Sequence, residues 1–272
     1  MELRYTIHTH NRLTFNFGDI NITSHSLQLT NMWGQIPRNG FFLISSVTCI
    51  VIPFYMWKSL WQLWRTLQKE NDEILLFHKR HNCVVIYQPK TGLSGWPRHN
   101  DEKTPDINSR MIHLCEPFTY FIRTAKESLC IAFMVINIKV IYDELIKARR
   151  RGVCIRIINN FQHTESCNED IKKLLNEGVK FQFFVAPTSA MDTIMHHKFM
   201  VKDAVSQTKC LCTGSMNLTG SSFFNNYESM VFSCNPYLVD AFKNHFEECW
   251  DNLKMDNDGL INKIILRDAR LL

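Results

Sequence analysis

Met195-His196-His197-Lys198-Phe199-Met200-Val201-Lys202-Asp203 carries His196, Lys198 and Asp203 at the spacing H-x-K-x4-D. Gly214, Ser215 and Asn217 follow as G-S-x-N, and Asn226 and Glu228 as N-x-E. The alternation from His196 to Val201 reads as a half-buried strand, which turns His196 and Lys198 to one face and His197 to the other. An imidazole beside an ammonium suits an anion, most simply a phosphate. Lysine supplies a point charge and three donors, and histidine attacks phosphorus or passes a proton near neutral pH.

Working outward, Cys210-Leu211-Cys212-Thr213 reads as a second short strand. After it, Gly214-Ser215 turns the chain so that backbone N–H groups, the Ser215 hydroxyl and the Asn217 amide face the same anion. Glu228, opening a strand over Tyr227–Phe232, is placed to accept the spare imidazole N–H of His196. Asp203 reads as structural or electrostatic support of the catalytic group, because a carboxylate beside a phosphodiester would repel it. The candidate set is therefore His196, Lys198, Asp203 and Glu228 for catalysis, with Ser215 and Asn217 holding the phosphate. It contains no triad of metal ligands, so the expected chemistry uses no metal and no cofactor.

This constellation resembles the phospholipase D superfamily, which is defined by H-x-K-x4-D. Within that superfamily the single motif, M-H-H-K-F, G-S-x-N-x-T and N-N-x-E resemble the group of mitochondrial cardiolipin hydrolases, the Zucchini endonucleases. The resemblance covers roughly residues 73–253. It implies an α/β fold, a phospholipase D-like mixed sheet flanked by helices, and a phosphohistidine on His196. It also implies a place on the mitochondrial outer membrane, held by one N-terminal helix. The resemblance implies cleavage of single-stranded RNA, as in piRNA production, with cardiolipin cleaved to phosphatidate as the alternative. A catalytically dead membrane interaction protein is the third reading, and the intact motif argues against it.

Upstream of the motif, residues 128–185 alternate strand and helix. Ser128–Ile136 is a continuous apolar run, as expected of a strand buried on both faces. Ile138, Ile141, Leu145 and Ala148 follow helical spacing after a cap at Asn137, and Gly152 ends that helix. Val153–Ile158, a helix opened by Asn168 and stopped by Gly178, and strand Val179–Val185 repeat the pattern. Two such units predict parallel strands. Arg149-Arg150-Arg151 reads as helix-end charge complementing the dipole. Asn235-Pro236 opens a last long helix with Leu238, Phe242, Phe246, Trp250 and Leu253 on its core face.

At the other end, residues 1–38 have no period and read as a poorly ordered extension. Residues 39–58 hold an uncharged run followed by Lys58, Arg65 and Lys69. That predicts a transmembrane helix with Tyr55, Trp57, Trp61 and Trp64 as its interfacial belt, a single pass, and the catalytic part facing the cytosol. A buried helix is the competing reading. Residues 59–72 read as a connector, Ile74–Phe77 as the first strand of a catalytic domain over 73–254, residues 89–106 as a loop, and 255–272 as a tail of unclear role.

The chain has 272 residues, 45% of them hydrophobic, and a net charge of +5. That is enough for one large core and mildly suited to an anionic partner. Its 10 cysteines contain no C-x-x-C pair, and several sit in apolar runs, so they read as buried free thiols. The zinc site that the resemblance implies near residue 83 has Cys83, His99, His113 and Cys115 to draw on, without a tight cysteine pair, and Cys115 reads as core. Phosphodiester cleavage needs one histidine to attack and another to protonate the leaving oxygen. With one motif per chain, a homodimer sharing a single site is the expected assembly.

Overall fold

A computed structural model describes residues 38–98, 110–187, 193–206 and 208–272. The expected extension before residue 38 and part of the 89–106 loop, His99 included, lie outside the described residues.

The described residues divide into two compact units at the Leu67–Gln68 junction. What is described before Gln68 belongs to helix α1, Arg38–Arg80. The expected transmembrane span at 39–58 is corrected here: among the described residues, no helix is long and apolar enough to cross a membrane. The uncharged run enters the described side chains at Ser45. A window of bilayer length from there takes in Ser46, Thr48, Pro53, Lys58, Ser59 and Gln62, which dilute it. The aromatic belt is present as an exposed ladder, with Trp57 and Trp61 ring centroids 6.2 Å apart and Trp61 and Trp64 4.9 Å apart.

The second unit is built on an eight-stranded mixed sheet in the order β2-β1-β8-β7-β6-β3-β4-β5. Its strands are β1 Cys83–Gln88, β2 Gly92–Ser94, β3 Ser128–Phe133, β4 Cys154–Asn160, β5 Lys180–Phe184, β6 Lys198–Lys202, β7 Cys210–Gly214 and β8 Glu228–Ser233. The expected parallel strands are β3, β4 and β5, joined through helices α3, Lys139–Arg150, and α4, Asn168–Asn176. The remaining pairs are antiparallel. Helix α2, Arg110–Arg123, and α3 cover one face with Phe118, Phe121, Ile141 and Leu145 in the larger core. On the other face α6, Pro236–Asp258, packs Val239, Phe246, Trp250 and Leu253 against Phe199, Val201 and Leu211.

Several local expectations meet their physical counterparts. Asn235 caps α6 by accepting from the N–H groups of Tyr237 and Leu238, with Pro236 in the first turn. Gly152 and Gly178 take positive φ after α3 and α4, at 95° and 83°. Arg150 pairs with Glu177, while Arg149 donates to the Glu177 carbonyl and Arg151 to those of Ile122 and Arg123. All three thus do local structural work.

Others are corrected. Ile74–Phe77 is not a strand but the end of α1, whose last turn holds His78, Lys79 and Arg80 in favourable dipole positions. Asn137 and Asn168 do not cap, since α3 and α4 have no side-chain cap bond and Asn168 instead donates to the Ala269 carbonyl at 3.3 Å. Leu238 is exposed, and Val239 takes the core position beside it. The 255–272 segment is no loose tail, because α7, Leu260–Asp268, and the residues after it bury Leu266 and Leu271 in the larger core. Cys210 and Cys234 form a disulfide, against the reading of free thiols throughout. The β7–β8 register, Leu211 opposite Ser233, brings them together across 24 residues, which spacing alone does not announce.

Candidate active site

Five strand ends meet at one edge of the sheet. Lys198, first in β6, lies opposite Phe133, last in β3, and Phe133 lies opposite Asn159 near the end of β4. On the other side Phe199 pairs with Thr213 of β7, Gly214 with Met230 of β8, and Glu228 opens β8 opposite Tyr87. His196, Lys198, Ser215, Asn217 and Glu228 all belong to this edge. The sixth candidate, Asp203, belongs to the opposite one.

His196 is exposed on the segment leading into β6. Lys198 is only 8% exposed, and its ammonium donates to the His196 carbonyl at 3.1 Å. Burial pushes the Lys198 ammonium below the usual lysine range, and the Glu228 carboxylate pushes it back up. The two charges therefore sense each other across the edge. Two of the three Lys198 protons remain for an incoming oxyanion.

Glu228 does not hold the His196 imidazole as expected. Its carboxylate accepts from the Ser215 hydroxyl and from the Asn226 amide at 3.0 Å. The Gly214-Ser215 turn is likewise spent internally. Ser215 N–H donates to the Ser229 carbonyl at 3.0 Å, and the Ser215 hydroxyl accepts from Ser229 N–H at 3.1 Å. The turn tolerates only glycine at 214, where a Cβ would lie 2.1 Å from the Ser229 carbonyl oxygen. Ser215 is thus engaged with Glu228 and Ser229.

Asn217 is half-buried between buried Met216 and Leu218. Leu218 is pinned to the end of β3 through Val135 and Asn137, so Asn217 is held at the edge by its neighbour's backbone. Its Oδ1 is buried with no partner among the described residues. The sequence reading passed over Asn160 as a site residue. Asn160 is fully buried at the end of β4, with both amide atoms unpartnered among the described residues. Its one signal was a pair of asparagines closing an apolar strand.

Asp203 is 1% exposed and sits at φ 50°, a left-handed conformation that aspartate tolerates. Its carboxylate accepts from the backbone N–H groups of Lys126, Glu127 and Ser128 at 2.8–3.1 Å. Five residues of strand separate it from His196, on the order of 20 Å of extended chain. Grouping it with the catalytic residues is corrected on that geometry: it anchors the α2–β3 turn to β6.

The zinc site near residue 83 is not assembled among the described residues: Cys115 is core and points at the Met111 sulfur, Cys83 bonds the Arg80 carbonyl, and His113 contacts Arg98. Outside the candidate set, the donor atoms of His197, His245 and Cys249 lie within 4.8 Å of one another.

Residues 119–250, which include every element of this edge except β1, match the family model described as cardiolipin synthase, PLD-like domain. The match takes in just under half of the chain, and over it the sequence is similar to a PLD-like domain. The mitochondrial cardiolipin hydrolase of Chlamydomonas reinhardtii is 27% identical over 168 residues, 57% of this chain and 71% of that one. The mitochondrial cardiolipin hydrolase of Xenopus laevis is 28% identical over 107 residues, 39% of this chain and 47% of that one. Among solved structures, NucT from Helicobacter pylori aligns over 53% of this chain and 91% of that one, at 19% identity and a TM-score of 0.45. A likeness that loose carries no argument.

Proposed function

We propose that the chain hydrolyses phosphodiesters through a covalent phosphohistidine on His196. The observation that carries the reading is the pairing at one open sheet edge of an exposed imidazole with a shielded ammonium that a carboxylate faces. The His196 nitrogen lone pair attacks phosphorus, and the leaving oxygen departs with a proton from a general acid. Water then attacks phosphorus, its proton passing back to that acid's conjugate base, and the phosphorus–nitrogen bond breaks with its electron pair returning to His196. Lys198 and Asn217 hold the non-bridging oxygens through both steps. Ser215 and Asn226 fix the Glu228 carboxylate, which keeps Lys198 charged despite its burial.

His196 cannot be nucleophile and acid in the same step. A homodimer supplies the second imidazole as His196 of the other copy, because an isologous contact sets each motif against itself. The open edge, with His196 and Ser215 exposed, suits an extended or membrane-borne diester better than a small molecule.

The favoured substrate is cardiolipin, after the relatives that bear its name, in a mitochondrial setting. Single-stranded RNA of the piRNA-precursor kind is the second reading, favoured by the net charge of +5 and by the polar surround of Asn225, Asn226 and Ser215. Purified chain is offered cardiolipin vesicles and short single-stranded RNA in EDTA. Phosphatidate release with a trapped acid-labile phosphoenzyme is the expected result, and cleavage of RNA alone assigns the second substrate. Mixing wild type with His196→Asn should lower activity as the square of the wild-type fraction. A linear fall would reject the shared site, and loss of turnover in EDTA with the fold intact would reject the mechanism.

A further inference from the structure

Three side chains that the proposed chemistry does not use converge on the far face of the sheet from Lys198. His197 leads into β6 but turns to the α6 side, packing its ring edge-on against Phe199 at 5.6 Å between centroids. His245 and Cys249 stand four residues apart on α6, so one helical turn stacks them on the same side. His197 Nε2 and His245 Nε2 approach to 3.0 Å, and Cys249 Sγ lies 3.6 Å from His245 Nε2.

We propose that His197, His245 and Cys249 bind a zinc-class divalent cation. Zinc takes imidazole nitrogen at about 2.0–2.1 Å and thiolate sulfur at about 2.3 Å. Tetrahedral angles at those lengths set nitrogen–nitrogen edges of about 3.3 Å and nitrogen–sulfur edges of about 3.6 Å. The His245–Cys249 edge is already met, the nitrogen–nitrogen edge needs to open by a few tenths of an ångström, and the His197–Cys249 edge, within 4.8 Å, closes as the cation draws its ligands in. Two imidazoles and one thiol form a borderline-soft set that favours zinc over magnesium or calcium. On binding, the Cys249 thiol releases its proton to solvent, and both imidazoles carry their remaining proton on Nδ1. Burial holds the Cys249 thiol above its usual range, so the bound cation must supply the drive for that release.

Three protein ligands leave a fourth position, which exposed His245 opens to water or to an outside donor. The cation would bond α6 to the residue next to His196. The His197 carbonyl already accepts from Met134 N–H at 2.9 Å, so the segment carrying the nucleophile would be fixed from both sides. The site touches no group assigned to phosphodiester cleavage, and its test stands apart from activity.

The full chain is purified, stripped of metal and titrated with cobalt and with zinc. Cobalt should give the strong visible absorption of a tetrahedral site and a near-ultraviolet thiolate charge-transfer band, both displaced by stoichiometric zinc. Cys249→Ser should abolish the charge-transfer band. His245→Ala, an exposed helical position, should weaken zinc binding by more than the ~10–100-fold that loss of a supporting partner costs. Cys154→Ser, at an exposed thiol on β4, should change neither. Should Cys249→Ser fail to fold, His245→Ala decides, read with the zinc-induced rise in melting temperature that it must lose. Absence of tight zinc binding to wild type would overturn the proposal and leave a plain imidazole–imidazole hydrogen bond. Unchanged binding in His245→Ala would equally overturn it.

Discussion

The two ends of β6 carry the two halves of one eight-residue motif and live in opposite environments. At the Lys198 end the imidazole is exposed and the ammonium keeps protons that no described acceptor takes. At the Lys202 end nothing is left over. The Lys202 ammonium sits against His81 Nε2 at 2.6 Å and over the Phe121 ring at 4.8 Å, and the Asp203 carboxylate is saturated by three backbone N–H groups. One end keeps donors in reserve, as the proposed binding of a phosphodiester requires. The other is satisfied so that the strand cannot slide, and a one-residue slip would turn His196 to the α6 face.

Breaking the reacting end should have the largest effect. His196→Asn is expected to cost about 10²–10⁴-fold in turnover on a model phosphodiester while leaving the melting temperature unchanged, since the side chain is exposed. Breaking the anchoring end should do the reverse. Asp203→Ala orphans the N–H groups of Lys126, Glu127 and Ser128, at about 1–3 kcal/mol for each buried group left bare. Urea unfolding should show about 3 kcal/mol or more of lost stability, with turnover per folded molecule close to wild type. If Asp203→Ala instead kills turnover without loosening the fold, the contrast between the two ends is wrong.

A finer test uses pH. Burial lowers Lys202 from 10.5 to about 7 and, with the nearby Lys202 charge, lowers His81 from 6.5 to about 3. Between pH 7 and 10.5 the unfolded chain holds a lysine proton that the folded chain has shed, so stability rises with pH across that window. Between pH 6.5 and 3 the unfolded chain gains a histidine proton that the folded one refuses, so stability falls as pH drops. Lys202→Met should abolish the alkaline rise in a series of melting curves. The smallest effect belongs to Ser215→Ala, which removes one of two anchors of Glu228. A loss of about tenfold or less in turnover is expected, with binding of the diester little changed.

Much of the site was legible because each residue's chemistry is written in its type and its strand parity in its spacing. His196 and Lys198 on one face, and His197 on the other, follow from period two. The parallel β3–β4–β5 core follows from helix–Gly–strand punctuation. Local pattern failed where partners come from afar. Glu228 was read as a histidine orienter because Ser215 and Asn226 were not seen to compete for it. Leu266 and Leu271 looked like a tail because the hollow they fill belongs to other elements. Ile74–Phe77 looked like a strand because four apolar residues do not distinguish strand from helix end.

By itself, then, the amino-acid order determined the candidate nucleophile, its cationic neighbour, the strand that carries them and the α/β rhythm around it, all properties of residues close in the chain. Tertiary structure decided which end of the motif lies open and which one anchors. It also set Cys210 against Cys234 and brought His197 to His245 and Cys249 across 48 residues. Those outcomes depend on sheet register and helix docking, and the free energies that set them are summed over the whole core rather than held in any local stretch.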